Sequence, residues 1–197
     1  MGPNWTEGVR PGFIGSKNIF AKIKPNQNIY IETGAWRGAG IKWAIAIENF
    51  NEVHSIELWE EYYNNMIELF KDNDKVHMHL GDSRTTLPEL LNKIDEKCFI
   101  FLDAHGDISD TGPNPLYEEI KGIGNQNIKN HIIIIDDLRR IGDTTDPCWS
   151  KVSVDELKRL LSKVNKDYKI FEYNDLIVAA MEEDLVDSSE PKQWWEN

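Results

Sequence analysis

Residues 28–40 have the sequence NIYIETGAWRGAG, in which an apolar strand leads directly into a glycine-rich loop. The strand is predicted at residues 28–32, and the loop runs from Glu32 to Gly40. Apolar residues then recur at helical spacing from Ala39 to Phe50. This order predicts that the segment opens a β–loop–α unit with a loop able to approach a ligand closely, because glycine has no side chain.

Strands and helices continue to alternate after this unit, which predicts an α/β fold with a parallel sheet covered on both faces. The last two predicted strands are separated only by Asn174-Asp175, and so short a connection joins antiparallel neighbours. The predicted fold is therefore a doubly wound, mostly parallel, seven-stranded sheet ending in an antiparallel hairpin. Further strands are predicted at 53–57, 76–80, 98–102, 131–135, 168–173 and 176–181, and helices at 59–71, 87–94, 116–123 and 154–164.

The domain organisation follows from these boundaries. Residues 28–181 are predicted to form the folded domain, preceded by an irregular arm or lid at 1–27 that is rich in Gly, Pro and Asn. Residues 182–197 are predicted to be an acidic and aromatic tail. A homodimer in which the arm or the tail packs on a second subunit is one reading, and a loose tail is the other.

Composition narrows the classes of function. The chain has 197 residues, with 22 Lys and Arg against 34 Asp and Glu, for a net charge of −12. So negative a field disfavours nucleic acid as a partner and favours a small-molecule acceptor. No apolar run approaches the roughly 18 residues of a membrane span. Two cysteines and no visible export signal predict a cytoplasmic protein without a disulfide framework.

Acidic residues follow every predicted parallel strand. The carboxyl ends of parallel strands share one edge of the sheet, where ligands bind, so these residues are expected to meet there. The glycine loop has neither the G-x-G-x-x-G spacing of a dinucleotide site nor the pattern of a P-loop. An acid before the glycines suits a cationic ligand better than a pyrophosphate. The acids are Glu32, Glu57, Asp82, Asp103, Asp136 and Asp137.

The stretch from Asn28 to Met181 resembles the class I S-adenosylmethionine-dependent methyltransferases. The family's acid-x-Gly-x-x-x-Gly motif matches Glu32, Gly34 and Gly38, and its ribose-binding acid matches Glu57. The terminal hairpin also fits. The resemblance implies a Rossmann-like methyltransferase fold that binds S-adenosyl-L-methionine. The residues it assigns to the cofactor are Glu32, Gly34, Ala35, Gly38, Gly40, Glu57, Leu58, Asp82, Ser83 and Asp103.

A narrower resemblance is to the metal-dependent O-methyltransferases of the macrocin and catechol types. In that group, acids after strands four and five hold a magnesium ion, and the matching residues are Asp103, Asp136 and Asp137. Hard oxygen ligands of this kind suit Mg²⁺, Ca²⁺ or Mn²⁺. The resemblance implies metal-assisted O-methylation of a small hydroxylated, sugar-like acceptor.

His105 and Asp107 depart from the macrocin pattern, and with Asp103 they are the candidate catalytic residues. The role of His105 stays open among a general base, a metal ligand, a hydrogen-bond partner of the substrate and a structural residue. A second pair, His77 and His79, lies on one face of a predicted strand, where a metal pair and ordinary half-exposed histidines are both open readings.

Two other functions remain open from the sequence. One is a metal-dependent hydrolase or other metalloenzyme that uses the acids without a nucleoside. The other is a non-catalytic nucleoside-binding module. The glycine loop with Glu57 argues against the first, and nucleoside binding distinguishes the two experimentally.

Overall fold

Seven apolar segments form one sheet within residues 18–105 and 113–187, the part of the chain that the computed structural model describes. The strand order is β3-β2-β1-β4-β5-β7-β6. Strands β1 to β5 pair in parallel, and β7 is antiparallel to both of its neighbours. This topology confirms the predicted fold class. The strands are β1 (Ile29–Thr33), β2 (Glu52–Glu57), β3 (Val76–Leu80), β4 (Cys98–Leu102), β5 (Ile132–Ile135), β6 (Lys169–Tyr173) and β7 (Leu176–Ala180).

Helices cover both faces of the sheet. Helices α1 and α2 pack with one apolar cluster, and α3, α4 and α5 pack with the other. Strands β1, β4 and β5 lie between the two clusters and are buried along their whole length, as central parallel strands are. No helix in the described residues is long and apolar enough to cross a bilayer. The helices are α1 (Ala39–Ile45), α2 (Glu60–Phe70), α3 (Ser83–Leu91), α4 (Leu116–Gly124) and α5 (Val154–Val164).

The turn of the terminal hairpin follows from its two residues. Asn174 and Asp175 both have positive φ, at 45° and 70°. Two consecutive left-handed residues make the type I′ turn, whose twist matches that of paired strands, and Asn and Asp tolerate that conformation better than most residues. The hairpin places β7 beside β5 and leaves β6 at the edge.

Helix α3 begins four residues earlier than predicted. The Asp82 side chain accepts a hydrogen bond from the Arg84 backbone N–H at 2.9 Å and caps the helix there. The helix predicted at 87–94 would hold Pro88 in its first turn, but the earlier start places Pro88 inside the helix, so that prediction is wrong. Proline costs a helix interior one hydrogen bond. Here its ring packs closely on Gly122 of α4, where an added Cβ would lie 2.5 Å from the proline Cγ.

The spacing of apolar residues in α2 predicts that Tyr63, Ile67 and Phe70 lie on one side. Phe70 is buried together with Met66, whereas Ile67 is 44% exposed. Met66 and Phe70 pack against Gly38, the residue before α1.

Segments on both sides of the predicted domain also pack on its core. Ile19 and Ile23, from the segment assigned to the arm, are buried, and Ile23 pairs with Leu185. Asp184 is buried and accepts hydrogen bonds from Lys97 and Gln27. Residues 1–17 and 188–197, with Trp194 and Trp195, lie outside the described residues, so the arm, lid, tail and homodimer remain predictions.

Candidate functional site

A cleft of about 370 Å³ opens at the carboxyl ends of the first four strands. β1 lies between β2 and β4, so the strand order reverses at this point, which is where ligands bind in doubly wound sheets. Sequence reasoning therefore found the right edge. The residues predicted for the site that line the cleft are Gly34, Glu57, Leu58, Asp82, Ser83, Asp103 and His105.

The glycine loop packs tightly between β1 and β4. Gly34 has φ of +87°, and a Cβ on it would lie 2.6 Å from the Asp103 carbonyl oxygen. A larger residue here would separate the two strand ends. Gly38, at φ +70°, faces Met66 and Phe70 rather than the cleft. Of the two motif glycines, Gly34 lines the cleft, and Gly38 lets the loop approach α2.

Glu32 lies behind the loop and is 2% exposed. Its carboxylate accepts hydrogen bonds from the Tyr30 hydroxyl at 3.0 Å and from the Ser55 hydroxyl at 2.7 Å. It also packs against Gly40, where no side chain would fit. Burial raises the pKa of Glu32 from 4.5 to about 8. In this arrangement Glu32 supports the loop from beneath.

The raised pKa of Glu32 predicts a pH-dependent stability. The folded state binds this proton more tightly than the unfolded state, so stability falls as pH rises from about 4.5 to about 8. For one proton the slope reaches about 1.4 kcal/mol per pH unit. We expect Glu32→Gln, which has no titrating group, to gain stability relative to the parent as pH rises, measured by urea unfolding. A difference that is constant with pH, as expected of the exposed control Glu48→Gln, would contradict this.

Glu57 joins the loops that follow β1 and β2. Its Oε2 accepts the Trp36 backbone N–H at 2.8 Å, and its Oε1 accepts the Trp59 backbone N–H at 2.9 Å. The Trp36 backbone that donates this hydrogen bond is in the left-handed conformation, with φ of 42°, which is uncommon for a bulky residue. The two bonds fix the carboxylate at the wall of the cleft, and each oxygen retains capacity for a further hydrogen bond.

Aromatic rings stand beside Glu57. Trp36 and Trp59 are 37% and 43% exposed and line the cleft with Tyr62. The Arg37 guanidinium lies 4.6 Å from the centroid of the Trp36 ring. Half-exposed indole rings at a concave surface suit a planar ligand, because stacking removes one face of the indole and one face of the ligand from water.

Asp82 and Ser83 lie at the start of α3, on the opposite wall of the cleft. The Arg84 guanidinium forms a close ion pair with Asp82 and holds the pKa of its carboxyl below its usual range. Ser83 is buried. Because Arg84 also lines the cleft, this wall offers both a charged acceptor and a charged donor.

His105 lines the cleft and lies between the carboxylates of Asp103 and Asp137. Its Nε2 is 3.4 Å from Asp103 Oδ1 and 3.5 Å from Asp137 Oδ2, and its side chain is fully buried. Neither ring nitrogen makes a hydrogen bond with another described residue. The ring meets Trp149 edge-on, with 4.4 Å between centroids. One ligand atom from each of Asp103, His105 and Asp137 falls within 4.8 Å of the others, a spacing that a metal ion could bridge.

Asp136 has a different neighbourhood from the one implied by the resemblance. It is 3% exposed, and its Oδ1 accepts the Asp137 backbone N–H at 2.6 Å. It groups with Asp137 and Asp175 rather than with Asp103. Arg139 forms ion pairs with Asp137 and Asp175 in the same place. Asp137 is thus the acid common to both groups.

Sequence reasoning missed Glu119, which is fully buried in the first turn of α4. Desolvation raises the pKa of its carboxyl, and the Ser83 and Thr33 hydroxyls beside it act in the opposite direction. A signal was available, because Glu119 falls on the same helix face as Leu116, Ile120 and Ile123. An acid on an apolar face is rarely buried without a polar partner.

The remaining predicted residues divide by location. Glu32, Ala35, Gly38 and Gly40 belong to the glycine loop but do not line the cleft, and neither do Asp136 and Asp137. Asp107 lies in residues 106–112, outside the described part of the chain.

Comparison with known proteins supports the fold. No protein-family model matches the sequence, and no curated protein matches it either. Solved structures do match. Fibrillarin of Methanococcus jannaschii, a pre-rRNA processing protein, is 17% identical with a TM-score of 0.57, over 85% of this chain and 74% of that one.

Two methyltransferases share the same architecture. The S-adenosylhomocysteine-bound methyltransferase PaMTH1 of Podospora anserina is 17% identical with a TM-score of 0.52, over 79% of this chain and 72% of that one. A SAM-dependent methyltransferase of Aquifex aeolicus is 15% identical with a TM-score of 0.50, over 81% and 85%. At such identities the likeness establishes the fold: this chain has the Rossmann-like architecture of class I methyltransferases.

Proposed function

We propose that the protein is an S-adenosylmethionine-dependent methyltransferase that transfers a methyl group to a hydroxyl of a small acceptor with the help of a divalent metal ion. The observation that carries the proposal is the position of Glu57. Its carboxylate is fixed by two loop amides at the wall of a cleft at the sheet's switch point. A fixed acceptor pair beside half-exposed indole rings suits a nucleoside.

The chain's own residues divide the task of binding that nucleoside. Glu57 would accept the two ribose hydroxyls with the capacity its oxygens retain. Trp36 and Trp59 would stack on the base, and Asp82 would accept its exocyclic amino group. The S-adenosylhomocysteine bound to PaMTH1 and the SAM dependence of the Aquifex aeolicus methyltransferase support this assignment of the ligand. Bound S-adenosylmethionine would supply an electrophilic methyl group.

The residues around His105 fit a divalent ion. Two carboxylates and a buried imidazole, from Asp103, Asp137 and His105, lie close together, and no described residue forms a hydrogen bond with the imidazole. The two carboxylate donors suit Mg²⁺ or Mn²⁺. Such an ion would lower the pKa of an acceptor hydroxyl. Asp136 would orient Asp137 through the 2.6 Å bond to its backbone N–H.

The charge distribution supports a small acceptor over a nucleic acid. The net charge is −12. Arg139 is paired with Asp137 and Asp175, and Arg140 with Asp146. Because both arginines are neutralised locally, they do not form a basic surface for a phosphate backbone. Glu57 would instead accept hydrogen bonds from the two hydroxyls of a neutral diol.

Calorimetry tests both parts of the proposal. We expect the protein to bind S-adenosylhomocysteine with a Kd on the order of 1 μM, and to bind Mn²⁺ in a separate titration. Asp103→Asn should weaken Mn²⁺ binding, whereas Asp155→Asn, which removes an exposed acid on α5, should not.

The outcomes separate the alternatives. Metal binding without nucleoside binding would overturn the methyltransferase and favour a different metalloenzyme. Nucleoside binding without metal binding would leave methyl transfer and remove the metal-assisted step. Absence of binding in both titrations would overturn both parts of the proposal.

A further inference from the structure

Three histidines meet on one face of the sheet near its β3 edge, away from the cleft. β2 and β3 pair so that His54 is opposite His77, and His79 is two residues further along β3 on the same face. The His54 ring stacks on His77 with 4.9 Å between centroids and on His79 with 5.3 Å. Sequence reasoning placed His77 and His79 together but could not place His54, because strand pairing is a long-range contact.

Hydrogen bonds fix which nitrogen of His54 carries the proton. His54 Nε2 lies 3.2 Å from Glu52 Oε2. A carboxylate accepts, so Nε2 is the protonated nitrogen and the lone pair is on Nδ1. A carboxylate that orients a histidine in this way is the usual support of a metal-ligating imidazole.

The lone pair on His54 Nδ1 faces a second imidazole. His54 Nδ1 is 3.0 Å from His79 Nε2. Zinc–nitrogen bonds are about 2.0–2.1 Å long, so two of them at a tetrahedral angle hold their nitrogens about 3.3 Å apart. The observed spacing needs a shift of only a few tenths of an ångström. The His79 proton would move to its Nδ1, a tautomer exchange through water that changes no charge.

Charged groups of both signs flank the pair. The Glu52 carboxylate lies 3.2 Å from His54 Nε2 and favours a bound cation, whereas Lys93, which acts on His79, opposes it. His77 stacks on His54 and is exposed.

We propose that His54 and His79, oriented by Glu52, form a binding site for a borderline divalent ion such as Zn²⁺, Ni²⁺ or Cu²⁺. This site is separate from the one proposed at the cleft and goes beyond the proposed function. Its imidazole donors favour this class of ion over Mg²⁺. A bound ion would join the edge strand β3 to β2.

Calorimetric titration of the full chain with Ni²⁺ tests the site. We expect one ion bound at this pair, in addition to any ion held by Asp103, His105 and Asp137. Affinity at the pair should fall about 100-fold in His54→Gln and in His79→Gln, and about tenfold in Glu52→Gln, which keeps both imidazoles. Glu48→Gln, which removes an exposed acid, is the matched control for Glu52→Gln and should keep this binding.

The outcomes are decisive in both directions. His79 is half-exposed, so His79→Gln keeps the test valid even where replacement of the buried His54 disturbs folding, as circular dichroism would show. A Ni²⁺ isotherm in His79→Gln that matches the parent protein's, or loss of this binding in Glu48→Gln, would overturn the proposal. Absence of binding to the unmodified chain at millimolar Ni²⁺ would overturn it too.

Discussion

Replacement of Glu57 with alanine is expected to weaken S-adenosylhomocysteine binding by about two orders of magnitude. Hydrogen bonds to a charged group contribute about 1.5–3 kcal/mol each, and the carboxylate would make two to the ribose. A loss of about 3 kcal/mol corresponds to about 100-fold in Kd. Alanine would also release the Trp36 and Trp59 amides that the carboxylate now binds, so the two loops would lose their common anchor.

Two companion variants make this prediction specific. Glu61→Ala removes an exposed acid of the same charge in the first turn of α2 and is expected to leave affinity unchanged. Glu57→Gln keeps the size of the side chain, but its amide can accept only one of the two backbone bonds, so an intermediate loss is expected. Equal affinity in Glu57→Ala and the parent protein, measured by calorimetry on folded samples, would remove the basis of the nucleoside site.

Much of the fold could be predicted from the sequence because each central strand carries its own signal. Strand β5 is a run of four isoleucines, and β4 is equally apolar. The bounds of β3, β4 and α5 agree with the predictions. The errors arose where a distant contact decided the outcome. Pro88 packs on Gly122 of another helix, and Met66 and Phe70, rather than Ile67, pack on the core beside Gly38.

The candidate site could be predicted as a region but not as a set of contacts. Topology alone brings strand ends to one edge, so Glu57, Asp82 and Asp103 were expected together and do line the cleft. The direction of a side chain depends on contacts with residues distant in the sequence. Glu32 ends β1 as the motif requires, yet its carboxylate turns toward Tyr30 and Ser55. Asp136 and Asp137 likewise have different partners. The Asp136 carboxylate accepts the Asp137 backbone N–H, whereas the Asp137 carboxylate lies beside His105.

His105 is where the structure adds most to the sequence. The side chain is fully buried, and its Nε2 lies at nearly equal distances from Asp103 and Asp137. A structural histidine in the interior ordinarily has a hydrogen-bond partner, and this ring has none among the described residues. The ring lies between Trp149 and the two carboxylates. There its Nε2 can serve as a metal ligand or accept a proton from the acceptor.

His105→Gln is therefore expected to reduce methyl transfer by about 10²–10⁴-fold, the range typical of a lost acid–base group. S-Adenosylhomocysteine affinity should stay unchanged, since Glu57 and the indole rings lie on another wall. Transfer is measured as S-adenosylhomocysteine formed with a panel of hydroxylated acceptors, and Asp155→Asn is the surface control.

The metal titration then assigns the cause of that loss. If His105 is a ligand, Mn²⁺ affinity falls with the rate, and excess Mn²⁺ restores part of the rate. If His105 is the base, Mn²⁺ affinity is retained, and the acidic limb of the pH–rate profile disappears with the imidazole. A rate unchanged in His105→Gln would make the residue a packing partner of Trp149, and the two carboxylates would then have to act without it.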